Sequence, residues 1–154
     1  ELSTDLQEKW TDYSRAPITW MGVIDRAEVP ELHRSAHLYF SGELHPACPN
    51  AVIEALACGL PVAAFDTGSL PQIVTRDSGR VVPYGADSWN LEFPDIPAMA
   101  KAVVEIYEDQ TRFRKAARQR AEDKADCDLG VQFQGESPAC RYSYRPGPIL
   151  TPAR

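Results

Sequence analysis

Residues 48–74 read CPNAVIEALACGLPVAAFDTGSLPQIV, and this stretch decides the fold. Residues 49–58 have a helical pattern, with proline in the first turn and Gly59 just past the end, where a left-handed residue is favoured. The continuous apolar run 61–65 is typical of a strand covered on both faces. A short helix is predicted over 70–74. Helix, strand and helix at such short spacing indicate a parallel sheet with crossover helices.

The pattern extends in both directions from this stretch. Strands are predicted over 18–21, 37–40 and 80–83, and a helix over 28–36. A helical apolar stripe follows over 96–121, which is typical of a helix packed on a sheet edge or returning across an interface. The fold class is therefore α/β, a partial Rossmann-like parallel sheet of about four strands with flanking helices.

The two ends of the chain differ from the middle. Residues 1–16 show only weak helical periodicity, whereas glycines and prolines interrupt any regular pattern after Lys124. We expect one domain over 1–124 and an irregular or disordered tail over 125–154. The chain begins with Glu1 rather than methionine, which suggests a fragment or a processed segment.

Composition excludes several function classes. The chain has 154 residues, a net charge of -6 and a pI near 5.0. Because there is no basic excess to displace counterions, nucleic acid is not an expected partner. No apolar run approaches the roughly 20 residues that span a bilayer.

Cysteines and histidines give no metal-binding pattern. The four cysteines (48, 58, 127 and 140) contain no Cys-x-x-Cys pair, so no metal is expected. Cys48 and Cys58 are predicted to be small buried thiols in a reducing, cytoplasmic compartment. The three histidines, His33, His37 and His45, are interpreted as surface or capping residues.

Glu54 is the one ionisable residue of the apolar 49–58 helix. It shares a face with Asn50 and Cys58, which are four residues away on either side. One interpretation is a carboxylate exposed to solvent, since glutamate is rarely buried. The other is a carboxylate directed into a ligand crevice.

The turn after the 61–65 strand also has two interpretations. Ser69 and Gln72 have the spacing of a capping box, in which each side chain accepts from the other residue's free backbone N–H. Alternatively, the amides of Gly68, Ser69 and Leu70 could bind phosphate where a short helix begins. Such turns lie at the carboxyl ends of parallel strands, where ligands bind.

The 48–74 stretch resembles the donor-binding core of the retaining GT-B glycosyltransferases of family 4, also called glycosyl transferases group 1. The resemblance extends over roughly 100 residues, from ITWMG at 18–22 through SGRVVPYG at 78–85 to about Arg120. It implies the later part of the C-terminal domain of an enzyme with two Rossmann-like domains. The implied reaction is transfer of a sugar, with retention, from a nucleotide diphosphate sugar that serves as substrate rather than cofactor.

The resemblance also implies roles for five residues. Glu54 matches the glutamate that binds the nucleotide ribose, and Gly68, Ser69 and Leu70 match the loop that meets the donor diphosphate. Asn50 matches the loop that approaches the sugar and phosphates. No residue is assigned a catalytic role.

Two positions depart from the family pattern. Pro46 stands where the Glu-x7-Glu motif has its first acidic residue, and Gln72 where relatives usually have glutamate. The acceptor-binding N-terminal domain is the implied partner, and the full-length enzyme is expected to associate peripherally with a membrane. We expect this chain alone to be inactive. The alternatives are a non-catalytic nucleotide-binding module and a plain α/β interaction domain.

Overall fold

A computed structural model describes residues 4–14 and 16–125 of the chain. The predicted irregular tail, except for residue 125, lies outside this part, as do Cys127 and Cys140.

The described residues contain a three-stranded parallel sheet. Its strands are β1 (Tyr39–Ser41), β2 (Val62–Phe65) and β3 (Gly79–Val82), in the order β1-β2-β3. Tyr39 pairs with Val62, which in turn pairs with Gly79, so the three strands begin at the same level. Their carboxyl ends therefore meet at one edge of the sheet. The predicted α/β class and Rossmann-like parallel sheet are confirmed.

Six α-helices and one 3-10 helix surround the sheet in the described part of the chain. They are α1 (Thr4–Tyr13), α2 (Val29–Ser35), α3 (Asn50–Ala57), α4 (Leu70–Ile73), a 3-10 helix (Arg76–Ser78), α5 (Ile96–Glu108) and α6 (Gln110–Ala125). The stripe predicted over 96–121 is thus divided between two helices. The division falls at Asp109, whose backbone is not helical and whose carboxylate accepts from the amide of Arg112 at 3.3 Å.

The strand predicted over 18–21 is absent from the described structure, which gives three strands rather than about four. These residues do not pair with β1, β2 or β3. Their side chains are largely exposed, and the Trp20 indole donates to the Thr11 hydroxyl of α1 at 3.1 Å. A β-type sequence needs a neighbouring strand to satisfy its backbone groups, and here the neighbour is a helix.

The sheet is covered on both faces. Val62 and Ala64 of β2 point to one face, where α3, α4 and α6 pack, and Ala63 and Phe65 point to the other, where α5 packs. All four residues are buried, as the continuous apolar run predicted. The core thus fixes the strands, and the loops at their carboxyl ends carry the polar residues.

Candidate functional site

Three loops meet at the carboxyl edge of the sheet. Residues 42–49 connect β1 to α3, residues 66–69 connect β2 to α4, and residues 83–95 connect β3 to α5. In parallel α/β sheets this edge is where ligands bind, because helix starts and loop amides converge there. The residues predicted to bind the donor lie on the middle loop (Gly68 and Ser69) and on the helices that follow the first two loops (Asn50 and Glu54 of α3, Leu70 of α4).

Hydrogen bonds join the middle loop to both of its neighbours. The Ser69 amide donates to the Pro46 carbonyl at 2.9 Å, and the Thr67 hydroxyl donates to the Glu43 carbonyl at 3.3 Å. On the other side, the Tyr84 amide donates to the Asp66 carboxylate at 2.8 Å. The three loops therefore form one connected surface.

Gly68 makes the closest of these approaches possible. Its φ is +55°, and a Cβ at this position would lie 2.5 Å from the Pro46 carbonyl oxygen and 2.6 Å from the His45 carbonyl carbon. Only glycine adopts this conformation without strain and leaves room for the facing backbone. The chain's own 45–46 backbone thus lies directly against Gly68.

The capping box predicted for Ser69 and Gln72 is wrong. Ser69 has φ -85° and ψ -4°, a helical conformation, and makes no side-chain cap. A capping residue needs an extended backbone to direct its side chain at the free amides, and Ser69 lacks it. Its hydroxyl is buried without a hydrogen-bond partner in the described structure. A capping box forms instead at Thr75 and Ser78.

The amides predicted to bind phosphate also make bonds within the protein. The Ser69 amide bonds to the Pro46 carbonyl, and the Leu70 amide donates to the Thr67 carbonyl at 3.3 Å. Helix α4 contains only four residues, so its dipole is small. A diphosphate bound at this turn would have to replace the Pro46 carbonyl as the acceptor of the Ser69 N–H.

Glu54 is exposed on α3, as the first of its two interpretations predicted. Its charge affects two titratable groups, His33 of α2 and Tyr39 of β1. Burial lowers the pKa of the His33 imidazole, an effect that the charge and backbone of Glu54 oppose. Burial raises the pKa of the Tyr39 phenol, and the carboxylates of Glu43 and Glu54 add to that rise. Among the described residues, the Glu54 carboxylate has no hydrogen-bond or ion-pair partner.

Asn50 begins α3 and is exposed, four residues beyond Pro46. Its side-chain oxygen accepts from the Cys48 thiol at 3.7 Å. The prediction that Cys48 and Cys58 are buried is wrong, because Cys48 is exposed and Cys58 is half-buried. Cys48 lies on the 42–49 loop, and Cys58 shares a helix face with the exposed Glu54, so neither thiol is fully covered.

Sequence reasoning missed an aromatic contact between the two outer loops. The His45 ring stacks on the Trp89 ring with centroids 3.7 Å apart and planes 12° from parallel. The His45 Nε2 also lies 3.0 Å from the Ser88 hydroxyl. From the sequence alone, His45 is interpreted as a surface or capping residue. Its contact with Trp89 joins residues 44 positions apart, and such a contact produces no periodic pattern in the sequence from which it could be predicted.

The carboxyl edge is acidic. Its three loops contain no lysine or arginine, and their acidic residues are Glu43, Asp66, Asp87, Glu92 and Asp95. Residues 4–14 and 16–125 hold no group of three or more side chains suited to a metal ion. None of the described helices is long and apolar enough to cross a membrane.

Comparison with known proteins identifies the family. The family described as glycosyl transferases group 1 matches residues 2–109, well over half of the chain. The chain belongs to this family. The match contains the three loops and all five predicted donor-binding residues, and it ends just before α6.

Two mycobacterial proteins are similar to this group 1 chain. They are described as GDP-mannose-dependent alpha-(1-6)-phosphatidylinositol dimannoside mannosyltransferases, from the H37Ra (ATCC 25177) and CDC 1551 (Oshkosh) strains of Mycobacterium tuberculosis. Each is 34% identical to it over 108 residues, which are 69% of this chain and 26% of the relative. The matched region thus spans about a quarter of the length of these relatives.

Proposed function

We propose that this chain is the donor-binding part of a retaining glycosyltransferase with two Rossmann-like domains of the GT-B type. The whole enzyme would transfer a sugar from a nucleotide diphosphate sugar to an acceptor held by an N-terminal domain. The observation that carries the proposal is the connected surface of three loops at the carboxyl edge, in a chain that belongs to the group 1 family.

Glu54 would bind the ribose of the donor. A carboxylate can accept hydrogen bonds from both ribose hydroxyls at once. The exposed Glu54 carboxylate has no competing partner among the described residues, so binding would not require an existing bond to break. Asn50, one turn earlier on α3, would approach the sugar and phosphates from the same helix.

The turn at Gly68, Ser69 and Leu70 would bind the diphosphate through backbone amides. Such donors would stabilise the negative charge that develops on the leaving diphosphate during transfer. In the structure the Ser69 amide is bonded to the Pro46 carbonyl, so the loop would have to shift by a small amount as the donor binds. We assign no catalytic residue and propose no metal ion or cofactor.

GDP-mannose is the first donor to test, because both relatives are described as dependent on it. We further propose a cytoplasmic enzyme that associates peripherally with a membrane, since the names of both relatives include a lipid, phosphatidylinositol dimannoside. For the chain alone we propose binding without transfer, because the acceptor would be held elsewhere in the enzyme.

Replacing Glu54 tests the ribose assignment. We expect Glu54→Gln to weaken GDP binding by about tenfold, since a hydrogen bond to a charged group contributes roughly 1.5–3 kcal/mol. Isothermal titration calorimetry of the chain with GDP measures the change. Glu108→Gln is the matched control, because Glu108 is also exposed but ends α5, which runs back from the carboxyl edge. Equal GDP affinity in Glu54→Gln and the unchanged chain would reject the ribose role.

A non-catalytic nucleotide-binding module is the second candidate. It is favoured by Pro46, which stands where the family's motif has an acidic residue that contacts the donor sugar. Sugar transfer by the longer protein that contains this chain would reject the second candidate. Nucleotide binding by that protein without transfer to any acceptor would reject the first.

A further inference from the structure

His45 and Trp89 join the two outer loops of the carboxyl edge across the end of β2. His45 follows β1, and Trp89 follows β3. Their rings are stacked at 3.7 Å, and the neighbouring Ser88 hydroxyl lies 3.0 Å from the His45 ring nitrogen. The His45 ring is therefore held on one face and at one edge.

The His45 backbone is held in a left-handed conformation. Its φ is 53°, which is uncommon for a residue with a side chain and is tolerated better by histidine and asparagine than by most others. The next residue, Pro46, presents its carbonyl to the Ser69 amide at 2.9 Å. The ring contact thus fixes a backbone that lies directly against the 68–70 turn.

The ring contact is not part of the hydrophobic core. Trp89 is 78% exposed, and neither ring belongs to the buried clusters on the two faces of the sheet. The Asp87 carboxylate orders the loop around Trp89, because it accepts hydrogen bonds from the backbone amides of Trp89 at 2.9 Å and Asn90 at 3.2 Å. Packing in the core therefore does not fix the Trp89 ring, and its position depends on the contacts within the two loops.

We propose that the His45–Trp89 stack is a latch that holds the Pro46 carbonyl on the Ser69 amide and thereby sets the affinity of the turn for the donor. The latch rests on the proposed function, in which that amide binds the diphosphate. His45 and Trp89 are positioning residues, because they act on the donor through Pro46. When the latch opens, Pro46 moves away and the Ser69 N–H becomes available.

The size of the effect follows from a two-state equilibrium. If only the open loop binds a diphosphate, the apparent dissociation constant is the intrinsic one divided by the open fraction. An aromatic stack of this kind shifts an equilibrium by roughly twofold to tenfold. Removing the stack should therefore tighten GDP binding by a factor in this range, whereas simple damage to the site would weaken it.

Two variants break the latch by different routes. Trp89→Ala removes the indole from an exposed position, and His45→Asn removes the imidazole but keeps a residue that tolerates the left-handed backbone. Trp89→Tyr keeps an aromatic face and should behave like the unchanged chain. Phe93→Ala is the matched control, because Phe93 is 94% exposed on the same loop and takes no part in the stack.

Two measurements on each variant test the latch. The hydrogen-exchange rate of the Ser69 amide, measured by NMR, reports whether the hydrogen bond from this amide to the Pro46 carbonyl has weakened. Calorimetry with GDP reports the affinity. We expect faster Ser69 exchange and twofold to tenfold tighter GDP binding in Trp89→Ala and His45→Asn. Trp89→Tyr and Phe93→Ala should change neither quantity.

The outcomes separate the latch from the function on which it rests. Unchanged Ser69 exchange in both latch variants would overturn the latch whatever the affinities are. Faster exchange with unchanged or weaker GDP binding would overturn it as well, because donor affinity would not depend on the loop. Failure of every variant and of the unchanged chain to bind GDP would overturn the proposed function, and the latch with it.

Discussion

At the scale of single residues, Gly68 gives the sharpest test of the site's geometry. Alanine at this position would combine a left-handed backbone with a Cβ 2.5 Å from the Pro46 carbonyl oxygen. We expect Gly68→Ala to lower the free energy of unfolding by about 2 kcal/mol, as strained backbone conformations cost of order 1–3 kcal/mol. Urea denaturation measures this change. Gly42→Ala is the control, because its Cβ would meet only the Phe40 ring, at 3.5 Å. Equal losses in the two variants would contradict the argument.

His33 gives a prediction for pH dependence. The residue is 8% exposed, its Nδ1 has no partner in the described structure, and burial lowers the pKa of its imidazole below 6.5. The unfolded chain therefore binds a proton more readily than the folded chain as the pH falls below 6.5. The stability contributed by neutral His33 is complete above that pH and is lost as the pH falls towards the lower folded pKa.

Urea denaturation of the unchanged chain and of His33→Gln between pH 5 and 8 tests this prediction. We expect the loss of stability below pH 6.5 to be smaller in His33→Gln, because glutamine does not titrate. The two curves should run parallel between pH 7 and 8. Parallel curves over the whole range would show that His33 does not contribute to the acid sensitivity.

At single positions, the sequence predicted the exposure of a charged residue better than it predicted contacts between side chains. The exposure of Glu54 agrees with the cost of burying a lone carboxylate, which favoured one of the two interpretations of this residue. The Ser69 cap failed because a capping box needs a particular backbone conformation as well as the right spacing. The stack of His45 on Trp89 depends on two loops that only the folded sheet brings together.

At the scale of elements, α6 acts as a support for three other helices. Three of its four arginines donate to carbonyls at or just past the ends of those helices: Arg114 to Ala36 and Gly59, Arg118 to Ala57, and Arg120 to Gln72 and Ile73. These carbonyls have no partner within their own helices, and the negative end of the helix dipole favours a cation there. The apolar stripe predicted this helix, but nothing in its period indicates which carbonyls the arginines reach.

We expect Arg114→Met to destabilise the chain by about 2–3 kcal/mol, since it would leave buried carbonyls without donors. Arg114 is 4% exposed. Arg118→Met should lower stability by only about 1 kcal/mol, because a third of the Arg118 side chain is exposed and water can replace it. Thermal unfolding of both variants, with methionine keeping most of the side-chain volume, compares the two. A larger loss in Arg118→Met would contradict this account of α6.

At the scale of the whole molecule, fold class was more predictable than strand number. Continuous apolar character predicted β2 because both faces of that strand are covered, and the short spacing of the elements predicted parallel pairing. The 18–21 segment carries the same local signal but packs beside α1 without a neighbouring strand. The local pattern indicates that a segment can form a strand. Whether it does so depends on a neighbouring strand being available to pair with it.

The distribution of charge over the molecule bears directly on the proposed donor. The loops at the carboxyl edge carry five acidic residues and no lysine or arginine, whereas Arg114, Arg118 and Arg120 of α6 bond to carbonyls at the ends of other helices. A diphosphate bound at this edge would meet like charges.

The affinity of this chain for GDP should therefore rise with ionic strength. Salt shortens the range of electrostatic repulsion, from about 30 Å at 0.01 M to about 8 Å at 0.15 M. We expect GDP to bind about twofold or more tightly at the higher concentration, the reverse of the usual behaviour of an anion at a basic site. Calorimetry at the two concentrations measures the change, and guanosine, which lacks the diphosphate, is the control and should show no such rise. Weaker GDP binding at the higher salt concentration would mean that a cationic group of this chain contacts the diphosphate, and the acidic edge would then not be its binding surface.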